Sequence, residues 1–311
     1  MYIVDSHCDS IMRGAADGSA LVTNYNFSQK HRHLQFCAIF SASNGSDADA
    51  AYEKAMHALE YFKSSVSHSE NNIIQVRTYA EIENAFKNGK NSALLTIEGG
   101  GGFIKNSIDE FIKLYDEGAR IFGLSWRNTP LASSAFMRDG EVDTGLTELG
   151  RKIISKGNEL GMIFDVSHLS DKSFWDVAVA AEKPIVATHS NFRSLCDCTR
   201  NLTDEMAKEI IRQDGMIGLN LYPGFVNENV SKQTVSCLFE HLDHCLSLGG
   251  DDHIGFGGDI DGTSGQYPSP LSEETSIHDQ LIELMLKHNY SESLVNKVAG
   301  ENYLRFLQKY L

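Results

Sequence analysis

Short apolar runs alternate along this chain with longer stretches whose apolar residues recur every three or four positions. The short runs read as buried strands and the three-to-four spacing as amphipathic helices. Strands are predicted over residues 2–6, 34–40, 92–97, 119–124, 162–166, 184–188, 216–221 and 253–256. Helices are predicted over 47–67, 78–87, 107–117, 147–160, 170–182, 203–213, 231–248, 276–287 and 291–308. Asp47, Ser170 and the pattern Thr78-x-x-Glu81 supply helix starts, and Gly89, Gly118 and Gly161 supply stops. Residues 10–33 read as a polar loop broken by Gly14, Gly18 and Asn24, and 140–145 as a second loop.

Eight strands, each followed by helical sequence, imply a parallel sheet, and that number predicts closure into a (β/α)8 barrel of TIM type. An open doubly wound sheet would normally carry a glycine-rich phosphate turn after its first strand; His7-Cys8-Asp9-Ser10 is nothing like one. With five prolines and no low-complexity linker, residues 1–311 are expected to form a single domain.

Composition narrows the partners. A net charge of −15 argues against nucleic acid and anionic membrane, both of which need a basic face. The first ten residues hold two Asp and a His where a secretory signal would be apolar, and no run approaches a membrane span. The amphipathic C-terminal segment lacks an anchor-type tail. Six irregularly spaced cysteines do not make a disulfide framework, so a reduced, cytoplasmic protein is expected.

The ends of the predicted strands carry the chemistry. His7 and Asp9 follow the first strand, Glu98 the third, His168 the fifth, His189 the sixth and Asp259 the eighth. In an extended segment residues i and i+2 point the same way, so His7 and Asp9 are expected to project together with Cys8 turned aside. Any one of these residues has a bland explanation as a hydrogen-bonded loop group. Six potential ligands at the C-terminal strand ends, where barrel active sites are built, suit zinc, or manganese if oxygen ligands dominate. They also suffice for two ions sharing a bridging carboxylate. By contrast, Cys196-Asp-Cys198 lacks the spacing of a zinc knuckle or redox pair, and Gly99 to Gly102 lacks the Lys-Ser/Thr of a phosphate loop. His241 with His244, on a helix, and His31 with His33, in a loop, are expected to be solvated or packed.

In Asp5-Ser-His-Cys-Asp9, Thr96-Ile-Glu-Gly-Gly100, Asp165-Val-Ser-His168 and Thr188-His-Ser190 the chain resembles the membrane (renal-type) dipeptidase family of zinc metallopeptidases, among the amidohydrolase-like barrels. The resemblance continues through Thr199-Arg-Asn201, Asn220-Leu-Tyr222 and Gly255-Phe-Gly-Gly-Asp-Ile-Asp-Gly262. The motifs keep the family's order nearly end to end and match least between residues 10 and 90. The resemblance implies two zinc ions, one held by His7 and Asp9, the other by His168 and His189, bridged by Glu98. It implies that Asp259 is the acidic residue beside a bridging water, that Arg200 holds the substrate's terminal carboxylate and that Tyr222 assists it. Dipeptides with a free C-terminal carboxylate, D-residues included, are the implied substrates, and a homodimer the implied assembly. Disulfides and a lipid anchor, found in secreted members, are not expected here.

One position departs from the family pattern. Where the family commonly has a histidine contacting the developing oxyanion, the matching place here holds Trp126, which offers only an indole N–H. Losing a strong donor there costs on the order of 3 kcal/mol of transition-state stabilisation unless Arg127 or another group replaces it. This departure leaves two alternatives open: an amidohydrolase of N-acyl amino acids or lactams, and a catalytically weak metal-binding homologue.

Overall fold

The structure, a computed structural model, describes residues 1–23, 25–67 and 72–311. Asn24, expected to break a loop, lies outside the described residues. The strands are β1 (Tyr2–Cys8), β2 (Arg32–Phe40), β3 (Ile73–Val76), β4 (Asn91–Glu98), β5 (Ile121–Gly123), β6 (Ile163–Asp165), β7 (Val186–Ala187), β8 (Met216–Leu219) and β9 (Ile254–Phe256). All pair in parallel. β1 joins both β2 and β9, and β2 joins β4, so the ring closes. β3, absent from the expected eight, stands outside that ring: it pairs with the first half of β4 while β5 takes Thr96 and Ile97. Four residues without alternation gave it no signal.

Burial follows from closure. Every residue of β4 is buried, as a parallel strand covered on both faces requires. Register neighbours Val4 and Leu34, Phe36 and Leu94, Ile121 and Ile163, and Val186 and Met216 fall in one apolar cluster with Tyr303, Phe306 and Leu307. The helix Asn302–Tyr310 therefore plugs the apolar layer, leaving the C-terminal strand ends for polar chemistry. The helices start where capping chemistry predicts. Thr78, Thr147 and Ser170 each accept the N–H three residues on, and Thr78 and Glu81 complete a capping box. The helix ending at Lys87 is closed, as expected, by Gly89, in the left-handed region at φ 70° just past the cap residue Asn88, whereas the helix expected from 231 begins only at Val235, capped by Thr234.

The largest correction lies in the stretch read as a loop. Ser10–Asp17 is a helix, closed by Gly18 in the left-handed region at φ 75°. Gly14 does not break it. A Cβ there would collide with the Tyr61 ring of the helix Ala48–Ser67, so this glycine lets two helices approach. His33, expected in a loop, is buried in β2, where its Nε2 accepts the Ser28 N–H at 2.8 Å. His241 is packed, as expected, between the Phe192 N–H and the Val226 carbonyl. The six cysteines are free, and no helix among the described residues is long and apolar enough to cross a membrane.

The closing helix is fastened by Asp214, which accepts hydrogen bonds from Arg305, Lys309 and Tyr310. Partial burial would raise its pKa, but these three donors hold it at about 2. A depressed carboxylate stabilises the fold above its unfolded pKa, and that gain is lost as pH falls through the folded value. Asp214 already has φ 65°, which asparagine tolerates, so Asp214→Asn isolates the charge. The variant is expected to be less stable at pH 7 by about 1–2 kcal/mol after solvent screening. In thermal melts the difference should shrink between pH 4 and pH 2; a constant gap would refute the assignment.

Candidate metal centre

His7 lies near the end of β1, and Glu98 is the last residue of β4 rather than a residue past it. His168, His189 and Asp259 stand in the turns after β6, β7 and β9. Asp9 does not reach the site as the second residue of an extended pair. The β1–β2 register shifts between Asp5 and Cys8, and Asp9 (φ −98°, ψ 17°) already turns into the helix Ser10–Asp17. His7 and Asp9 still converge, with Nε2 and Oδ2 4.0 Å apart.

Glu98 stands between two imidazole groups. Its Oε2 lies 3.1 Å from His7 Nε2, while its Oε1 lies 2.7 Å from His168 Nε2 and 3.7 Å from His189 Nε2. The His168 and His189 Nε2 atoms are 2.9 Å apart, and the His7 and His189 rings stack at 3.7 Å. Among the described residues two donor sets converge within 4.8 Å: His7, Glu98 and His189, and His7, Asp9 and Asp259. All six residues expected to surround a metal are thus brought together.

The electrostatics are those of a site short of positive charge. Burial would lower His7, but Glu98, with Asp9 and Asp259 behind it, holds the imidazole up at about 10. Burial and Glu98 push Asp9 well above the carboxylate range, and burial with Glu98 lifts Asp259 to about 6. Burial opposes ionisation of Glu98, yet His7 and His168 keep it well below its usual range. Burial and Arg200 lower His168 to about 4, and burial with His7 and Arg200 lowers His189 well below its usual value. Neutral imidazoles beside under-compensated carboxylates are what divalent cations bind. Asp9 Oδ1 is moreover buried without a hydrogen-bond partner. The residues fit a cation.

Two buried aspartates that no strand-end pattern singled out hold this cluster in shape. Asp5 accepts the N–H of His7 at 3.0 Å and that of Gly258 at 3.1 Å, tying the end of β1 to the turn that carries Asp259. Its Oδ2 also meets His278 Nε2 at 2.6 Å. Asp165 repeats the device, taking the N–H of Ser167 at 3.0 Å and, across the sheet, that of Thr188 at 3.0 Å. The Thr188 hydroxyl donates to Asp165 Oδ2 at 2.5 Å, so its oxygen accepts from His189 Nδ1 at 2.8 Å. That relay leaves the lone pair of His189 on Nε2, facing the cluster. In the sequence, the only trace of these roles is a motif aspartate two residues before each turn. Asn220, part of the Asn220-Leu-Tyr222 motif, donates to Asp259 Oδ2 at 3.2 Å.

The other expected site residues surround this cluster. Arg200 is buried behind His168, its Nη2 3.1 Å from His168 Nε2 and 2.8 Å from the His189 carbonyl. Its Nη1 donates to Ser190 Oγ at 2.7 Å, and its Nε has no partner. Tyr222 and Trp126 line the cavity above the cluster. Arg127 lies over the Trp126 ring at 5.1 Å and does not line that cavity.

A buried imidazole and carboxylate cluster at the C-terminal rim of a closed parallel barrel is the site of a metal-dependent hydrolase. Residues 1–310 match the membrane dipeptidase family, peptidase family M19, and the chain belongs to that family. It is accordingly a peptide-bond hydrolase of the metallo-dipeptidase type. Among solved structures it is similar to dipeptidase AC, at 27% identity and a TM-score of 0.87, over 100% of this chain and 98% of that one. It is also similar to a Rhodobacter sphaeroides metallopeptidase bound to a phosphinate mimic of L-Ala-D-Ala, at 26% identity and a TM-score of 0.86, over 100% and 99%. An uncharacterized Klebsiella pneumoniae protein of the pqqA 5′ region is 30% identical over 257 residues, covering 80% of this chain and 93% of that protein.

Asp5→Ala leaves the backbone N–H groups of His7 and Gly258, the Gln35 side-chain amide and the buried His278 imidazole without this acceptor. The expected cost is on the order of 3–5 kcal/mol, read as a shift in the urea unfolding midpoint at constant m. A loss under about 1 kcal/mol would show that the clamp is dispensable.

Proposed function

We propose that this barrel, acting as one unit over residues 1–311, is a zinc-dependent dipeptidase that works with two ions. His7 and Asp9 would hold one ion, His168 and His189 the other, and Glu98 would bridge them. The observation that carries this reading is the division of Glu98, one oxygen toward His7 and the other toward His168. Bound there, zinc supplies Lewis acidity to a scissile carbonyl and makes water nucleophilic near neutral pH.

The chain's own groups do the rest. Asn220 occupies Asp259 Oδ2, which leaves the carboxylate's other oxygen to accept a proton from the attacking water and return it to the departing amine. Arg200 Nε, buried and unpartnered, is the donor left for a substrate carboxylate, and the Tyr222 side chain lies on the cavity wall nearby. A terminal carboxylate gripped one residue from the scissile bond restricts substrates to dipeptides. The L-Ala-D-Ala mimic held by the Rhodobacter relative supports a substrate of this size and a D-residue at its C-terminal position.

Removing the proton carrier separates chemistry from metal binding. Asp259→Asn is expected to lower kcat on dipeptides by roughly 10²–10⁴-fold, while elemental analysis still finds two zinc ions per chain. Glu98→Ala is expected to lose at least one of them. Wild-type turnover of N-acyl amino acids and not of dipeptides would overturn the dipeptide reading, and one zinc per wild-type chain would overturn the bridged pair.

A further inference from the structure

Five aromatic rings form one wall of the cavity of about 560 Å³ above the candidate metal centre: Phe40, Trp126, Phe136, Phe225 and Tyr222. They follow one another at centroid separations of 5.4, 5.3, 6.4 and 4.9 Å. None is fully buried, so the rings are not filled core; each keeps surface that a ligand could cover. The rest of the lining is mostly polar, but its one guanidinium, Arg13, is bound to Asp261 at 2.6 Å and is not free for an acidic side chain. The carboxylates at the cavity floor, Asp9, Glu98 and Asp259, belong to the metal cluster.

The position of the rings decides which part of a dipeptide meets them. Phe225 meets Tyr222 edge-on, ring centroids 4.9 Å apart, and lies 5.5 Å from the Arg200 guanidinium, so it abuts both groups assigned above to the substrate carboxylate. Phe136 is next to it and also lies against His168, at 5.6 Å. A side chain on the residue that bears the anchored carboxylate branches from the same Cα as that carboxylate. Its nearest surfaces are therefore Phe225 and Phe136, not the polar lining.

We infer that the enzyme prefers dipeptides whose C-terminal residue carries an aromatic or large apolar side chain, with Phe136 and Phe225 as the specificity-determining residues. The inference rests on the dipeptidase reading and deepens it. Burying a phenylalanine side chain against this wall is expected to favour Ala-Phe over Ala-Ala by about 10- to 100-fold in kcat/KM.

The test compares kcat/KM of the zinc-loaded full-length protein for Ala-Ala, Ala-Phe, Phe-Ala and Ala-Glu, with L- and D-residues at the C-terminal position. Ala-Phe is expected to lead the series. Phe136→Ala should bring the Ala-Phe to Ala-Ala ratio toward one, mainly through KM, and Phe136→Leu should restore part of it. Equal rates across the series, or a preference for Phe-Ala or Ala-Glu, would overturn the inference and leave the dipeptidase reading standing. No turnover of any dipeptide would overturn that reading itself. The wild-type series decides the matter even if neither variant folds.

Discussion

The structure depends on one buried carboxylate. Glu98 is 4% exposed and sits at the end of a fully buried strand, where an uncompensated charge would cost several kcal/mol. The barrel answers by aiming imidazoles at both of its oxygens from three other strands. This arrangement requires four strand ends to keep their relative heights to within a fraction of an ångström. A closed parallel ring is suited to that, because each strand is hydrogen-bonded on both sides and none is a free edge. The apolar layer below, sealed by Tyr303, Phe306 and Leu307, keeps water and flexibility away from the other end.

The same local device recurs under two histidine turns. Asp5 and Asp165 each take the N–H two residues ahead and then a second N–H from a strand end across the sheet. A carboxylate used in this way works as a spacer. It converts the loose geometry of a turn into the geometry of the sheet, and it does so without facing the cavity. The orientation of the cluster histidines therefore depends on residues that do not line the cavity.

Much of this was legible in the sequence, and the failures have specific causes. The eight ring strands, their parallel order and all six cluster residues followed from apolar runs and from what stood after them. The ligand positions were readable because barrel chemistry collects at strand ends. The helix Ser10–Asp17 was hidden by Gly14, whose usual meaning is a break and whose actual task is to admit Tyr61. β3 was too short to alternate, and the bulge in β1 removed the extended geometry expected of Asp9. The two aspartate clamps were invisible for another reason. Their partners lie across the sheet, up to 273 residues away, and no local pattern reports a contact of that kind.

The seam between β1 and β9 also fixes an order in time. Asp5 meets Gly258 and His278, and His7 stands beside Asp259, so β1 is completed by segments that follow it by 253 to 273 residues. Until then β1 has one sheet neighbour instead of two, and Asp5 lacks its Gly258 and His278 partners. Barrel closure and the convergence of His7 with Asp259 are therefore one and the same contact. A chain cut before Gly258 would carry His7 and Asp9 on an open edge, a state exposed to mispairing and to recognition by chaperones.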